Sequence, residues 1–187
     1  MKKIQLFIIL ISQLSFSQFT GFFDAKEFSK EISLFKAKTF LINDVLKITD
    51  KSTKFEAIPL AAASSGELTT LLYKCGSQNS EGIILGFYGN YWNKTGVTYQ
   101  GYAFKNLSKE KANEFLNKIA NEIEENKKFL DANTDENNIA FVYEDLTVLI
   151  WTSTTSFKIR LFWNGFDSTW EDTSYGRTKR RFERKTK

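Results

Sequence analysis

Between Ser108 and Leu130, apolar residues recur at Ala112, Phe115, Leu116, Ile119, Ile123 and Leu130, spaced by three, four or seven. That is the period of one side of an α-helix, and Glu114, Lys118, Asn121, Glu125 and Lys128 occupy the other side. The spacing predicts one long helix over about 109–130, with Ser108 as N-cap and Glu110 in the first turn, where the helix dipole favours an anion. Glu114–Lys118 and Glu124–Lys128 are i,i+4 pairs in the favourable order. A helix with one apolar stripe must bury it, and the strand-like segments around it are the available partner. A shorter helix is expected over about 25–36. Asp24 and Glu27 form a capping-box-like pair there, and Phe28, Ile32 and Phe35 form the apolar stripe.

Elsewhere the period is two or the runs are short and apolar. Thr39–Ile42 and Val45–Thr49 flank a hairpin-like Asn43-Asp44. Lys54–Ser64 holds the only proline, Pro59, which marks an edge strand or a bulge. Leu68–Cys75, Gly82–Tyr88 and Val97–Phe104 follow. Beyond the long helix and a polar loop over Asp131–Asn137, Ile139–Tyr143, Leu146–Thr152 and Phe157–Trp163 have meander spacing. In the last of these, Phe157, Ile159, Leu161 and Trp163 share one face, with Lys158 and Arg160 on the other. That pattern predicts an antiparallel sheet with one buried face. The fold class is therefore α+β: an antiparallel sheet of about 6–8 strands, with the long helix and the N-terminal helix packed on one face.

The first segment departs from this plan. Lys2 and Lys3 precede an apolar run over Ile4–Leu14, and Ser15 and Ser17 suit the −3 and −1 sites of a signal peptidase. Residues 1–17 are read as a secretory signal peptide, 18–176 as a single α+β domain and 177–187 as a basic, disordered tail. The apolar run is shorter than the roughly 20 residues that a membrane span takes. No transmembrane segment is expected after processing, and the product would be periplasmic or extracellular.

Charge sharpens the division. The 187-residue chain has a formal net charge of +4, and loss of Lys2 and Lys3 leaves +2. Arg177, Lys179, Arg180, Arg181, Arg184, Lys185 and Lys187, against Glu183 alone, put +6 in the last eleven residues, so the rest of the mature chain is about −4. In an exported protein such a segment suits an anionic surface, lipid or polysaccharide, rather than nucleic acid.

Composition removes several chemistries. With 0 His and 1 Cys, histidine-based triads, zinc sites with histidine ligands, Cys-rich metal sites and any intramolecular disulfide are excluded. No phosphate-cradling glycine motif is present, and neither a cofactor nor a metal is implied. Asp131–Asp135 imitates the start of an EF-hand loop, but Glu136 stands in place of the turn glycine and Val142 in place of the bidentate glutamate. Carboxylates gather at Glu144-Asp145 and at Asp167, Glu171 and Asp172, so a hydrolase working with carboxylates alone, such as a glycosidase, is the alternative reading. The principal binding candidate is Gly89–Gly96, read as a strand-to-strand loop. Its Tyr91, Trp92 and Asn93 present rings beside amides, as suits a glycan, peptide or protein partner, unless Trp92 folds back to cover the sheet; Trp170 is read as a second contact or as a cover for the sheet edge. The functional reading is a non-catalytic binding domain of the cell envelope or extracellular space; a structural component tethered by its basic end is the remaining alternative.

The mature protein is expected to begin at Gln18. Intact-mass measurement on secreted material checks this; exported protein that keeps Met1 refutes it.

Overall fold

The structure is a computed structural model that describes residues 31–92, 95, 98–154 and 156–187. The proposed signal peptide and the start of the expected N-terminal helix lie outside the described residues. The α+β class with antiparallel sheets holds, but the strands form two sheets of four. The first runs β1 (Glu56–Ala62), β2 (Leu68–Cys75), β3 (Ser80–Trp92) and β4 (Thr98–Ser108); α2 (Lys109–Glu125) and α3 (Lys127–Ala132) follow. The second runs β5 (Asn138–Tyr143), β6 (Leu146–Ser153), β7 (Ser156–Trp163) and β8 (Phe166–Glu171), ending in α4 (Asp172–Thr186). The chain is thus two antiparallel meanders, each closed by helix. Ahead of them stand α1, over 31–40, and a π turn, Leu41–Val45.

The first sheet is buried on both faces. Leu60, Leu68, Leu72, Ile83, Leu85, Phe87 and Leu107 point into the main core, where they meet Ala112, Phe115, Leu116 and Ile119 of α2, the inward residues of β6–β8, and Tyr175 and Phe182 of α4. The opposite face carries Leu71, Tyr73, Cys75 and Ile84 against Ala37, Leu41 and Leu46. α1 therefore packs on the far face, not beside α2. Its inward residues are Ser33 and Ala37, while Phe35 is 68% exposed. Small side chains bring this helix close enough for Ser33 Oγ to reach Thr69 Oγ1 at 3.1 Å, and this contact overrides the Phe28–Ile32–Phe35 stripe. The strands expected at Thr39–Ile42 and Val45–Thr49 are absent because α1 runs on through the π turn.

The second sheet is one-sided. Leu146, Val148, Ile150, Ile159, Leu161, Phe166 and Trp170 are buried, while Val142 and Phe162 of its outer face are exposed. Pro59 behaves as its missing N–H requires: β1 is an edge strand and its register shifts between Pro59 and Ala61. Ser108 caps α2 by accepting from Lys111 N at 3.4 Å. The expected single helix breaks at Asn126, whose Nδ2 donates to Glu122 O at 2.9 Å; a side chain that competes for helix carbonyls interrupts the ladder.

The largest correction falls at the C-terminus. Residues 177–187 are not a disordered tail, since α4 continues to Thr186. Ser174, Tyr175, Thr178 and Phe182 form its buried face. Tyr175 Oη donates to Leu116 O at 2.7 Å, and Thr178 Oγ1 lies 2.9 Å from Thr70 Oγ1 in a buried contact. Periodicity missed this face because two of its four positions are Ser174 and Thr178, whose hydroxyls are satisfied by Glu171 and by Thr70.

Phe182→Ala should cost about 3–5 kcal/mol, as should Phe115→Ala, because each leaves a cavity in one shared core. Asn113→Ala, on the exposed side of α2, should stay within about 0.5 kcal/mol. Denaturant titration checks the three, and a small effect at Phe182 contradicts the docking of α4.

Candidate functional site

Once α4 is folded, its basic residues acquire positions. Arg177, Arg180, Arg181 and Arg184 are exposed, and their i, i+3, i+4, i+7 spacing places them along one stripe. From Arg177 to Arg184 the stripe spans roughly 10 Å at helical rise. Arg181 Nη1 donates to Leu60 O of the edge strand at 2.5 Å, which fixes the stripe against β1. Among the described residues no carboxylate pairs with Arg177, Arg180 or Arg184. Lys179 does not belong to the stripe: it is partly buried, donates to Asn117 Oδ1 at 2.6 Å and pairs with Glu183. Lys185 is exposed beside the stripe's end. The end of the helix is held from below, where Lys109 Nζ donates to Thr186 O at 2.8 Å and Lys74 Nζ to Lys185 O. Cations at the last carbonyls also offset the negative end of the helix dipole.

The acidic groups are engaged elsewhere. Glu144 and Asp145 sit in the β5–β6 turn, and both ion-pair with Lys105, which is 3.1 Å from Glu144. Lys111 also binds Glu144, and Trp163 Nε1 donates to Asp145 at 2.8 Å. Lys111 and then Lys105 hold the Glu144 carboxyl below its usual range. Lys105 and then Trp163 do the same for Asp145. Asp167 shares an open depression with Asp145, but Arg160 binds it, with Nε at 2.7 Å. A glycosidase needs one carboxyl with a raised pKa, and this depression holds two paired carboxylates instead. Tyr143 is the perturbed acid of this corner: burial, followed by its hydrogen bond to Glu114, pushes it up to about 12. Asp131, at the head of the EF-hand imitation, is the fifth residue of α3 and accepts from Lys127 and Thr152.

Two aromatic expectations change. Trp170 is 1% exposed and packs edge-on against Tyr175 at 5.2 Å, so it is core and not a second contact. Its strand went unread because β8 places Ser168 between Phe166 and Trp170 on the buried face. The Gly89–Gly96 loop is also shorter than expected. β3 continues through Tyr91 and Trp92, which pair with Tyr99 and Thr98; Asn93 lies outside the described residues. At the base of this hairpin Tyr88 stacks on Tyr102 at 4.6 Å, and Phe104 stacks on Phe40 at 5.5 Å. The Tyr88–Tyr102 pair lies across the two strands and stabilises the hairpin, which is why the strands run past the glycines.

No family model, curated protein or solved structure matches the chain, so the site is read from its own geometry. The contrast is between carboxylates that are paired and arginines that are not.

Glu171 shows what the paired carboxylates do. It joins β8 to α4 and accepts from Ser64 N at 3.2 Å and from Ser174 Oγ at 2.9 Å. Burial opposes its ionisation, but the bonds from Ser64 and Ser174 outweigh burial and hold the carboxyl below its usual range. Its stabilising contribution is therefore present above the ordinary carboxylate range and is lost as pH falls through the lowered folded value. Urea midpoints of Glu171→Gln should lie below wild type at pH 7, with the gap closing between about pH 5 and pH 3. A gap that does not change with pH contradicts this assignment.

Proposed function

We propose that the protein is an exported, non-catalytic interaction domain of the cell envelope or extracellular space, and that it binds a linear anionic polymer through α4. The observation that carries the reading is the stripe of Arg177, Arg180, Arg181 and Arg184 on a helix anchored to the core. Guanidinium groups form planar, paired hydrogen bonds with carboxylates and phosphates. Four of them along one helix face follow a chain of anions better than a point ligand. An exported setting rests on the form of Met1–Ser17 and makes anionic polysaccharide the natural partner, not nucleic acid.

A bilayer is the weaker partner on this geometry. A helix lying in a membrane interface inserts its apolar face, and the apolar face of α4 is occupied by the protein's own core. No helix among the described residues is long and apolar enough to cross a membrane. The flexible tether expected from the sequence is replaced by a rigid face, which loses little conformational entropy on binding.

Binding of the secreted protein to immobilised polygalacturonate should exceed binding to neutral dextran. It should weaken as ionic strength rises toward ~0.15 M, where the screening length is ~8 Å. Each arginine near such a surface is worth on the order of 1 kcal/mol, so the double reversal Arg180→Glu/Arg184→Glu should weaken binding tenfold or more. Both side chains are exposed, so the thermal midpoint should move little. Unchanged binding by the double variant, or equal binding to dextran, overturns the proposal. Preferential binding to anionic vesicles would transfer the site to lipid.

A further inference from the structure

A concave feature lies away from α4's exposed stripe, at the open end of the first sheet. It is a cleft of about 640 Å³, within the range of small-ligand sites. One wall is the end of α1 and the π turn, with Phe40, Asp44 and Lys47; the other is the start of α2, with Ser108 and Glu110; Asn79 and Asn106 stand at its rim.

The first wall is held in an uncommon conformation. π turns are rare and concentrate at functional sites. Lys47, directly after the C-cap Leu46, has φ of 47°, the left-handed conformation in which helices commonly end. The conformation is braced by Leu46 N to Leu41 O at 2.8 Å, Ile48 N to Ile42 O at 3.0 Å and Gln78 Nε2 to Leu46 O at 2.8 Å. A braced π turn at the wall of a cleft points to a use for the cleft.

Its most enclosed carboxylate is already paired. Glu81 is bracketed by Lys74 at 2.9 Å and Lys109 at 3.1 Å, and Lys109 also serves Thr186 O. Glu110 accepts from Ser108 Oγ at 3.0 Å at the start of its own helix. An anion would face three carboxylates, Asp44, Glu81 and Glu110. A metal is not favoured either, since no three acidic or thiol groups converge among the described residues. What remains is hydrogen-bonding capacity from Asp44, Asn79 and Asn106, beside the half-buried ring of Phe40. Paired amide and carboxylate groups next to an aromatic face match vicinal hydroxyls on a ring with apolar C–H edges.

We propose that this cleft binds a neutral, polyhydroxylated ligand of mono- or disaccharide size. The site is separate from the arginine stripe, so the two stand or fall independently.

The test is a titration of the ¹⁵N-labelled secreted protein with glucose, galactose, N-acetylglucosamine, maltose, cellobiose and diacetylchitobiose, with lysine and inorganic phosphate as charged controls. At least one neutral sugar should shift the amide signals of Lys47, Asn79 and Glu110 saturably. Asp44→Ala/Asn106→Ala should weaken that binding tenfold or more, and Arg180→Glu/Arg184→Glu should leave it unchanged. Asp44 and Asn106 are exposed, and Asn106→Ala alone gives a second reading on a side chain with no partner among the described residues. Absence of shifts with every sugar overturns the proposal. So do shifts that survive in the double variant, or shifts caused by the charged controls alone.

Discussion

The structure depends on the buried seam beneath α4. Two meanders, each with one apolar face to hide, cannot both be covered by α2, which lies on β3 and β4 with Phe115 against Tyr143 of the second sheet. α4 closes the remaining gap by crossing from β8 to β1. Its apolar contacts at Tyr175 and Phe182 supply the burial. Its polar contacts set the register, because Tyr175–Leu116, Thr178–Thr70 and Arg181–Leu60 each satisfy a group that would be costly to leave unpaired in the interior. The helix of the second unit thus rests on the edge strand of the first, and neither unit has a complete core alone.

This arrangement also sorts the charges. Acidic side chains are drawn into turns and junctions, where lysines, serines and Trp163 hold them: Glu144 and Asp145 by Lys105, Glu81 by Lys74 and Lys109, Glu171 by Ser64 and Ser174. Exposed ion pairs of this kind add little to stability each. Their effect here is to hold the carboxylates of these turns and junctions in place. The arginines of α4 face solvent because its opposite side is committed to the core, so the helix that completes the fold also concentrates the unpaired positive charge.

Legibility in the sequence followed the strength of the apolar period. β2 was readable to the residue, because LTTLLYKC is buried on both faces and reads as a continuous run. The buried positions of α2, Ala112, Phe115, Leu116 and Ile119, were those the spacing named. The face assigned to β7 also holds, with Ile159 and Leu161 buried. β8 and α4 were hidden for one reason: each buries hydroxyl residues among its aromatics, Ser168 between Phe166 and Trp170, and Ser174 and Thr178 beside Tyr175 and Phe182. A buried serine or threonine is tolerated only when a partner is supplied, and for Ser168 and Thr178 those partners, Glu67 O and Thr70, lie more than 100 residues away. Sequence displays the hydroxyl and not its partner. The π turn was illegible for a related reason, since its bracing group, Gln78, lies 32 residues from Leu46.

The basic residues of 177–187 were legible as charge, yet their meaning changed with their conformation. In a disordered segment seven cations would form a diffuse cloud, able to meet any anion but ordering only on contact. On α4 the same residues are divided by the helical period. Lys179 goes inward to Asn117 and Glu183, Arg181 braces the edge strand, and Arg177, Arg180 and Arg184 stay outward. Order converts a net charge into a spacing, and a spacing can discriminate among polyanions of equal charge density where a cloud cannot. The selectivity of this face should therefore reside in the geometry that Tyr175 and Phe182 impose from below, although neither side chain is at the surface.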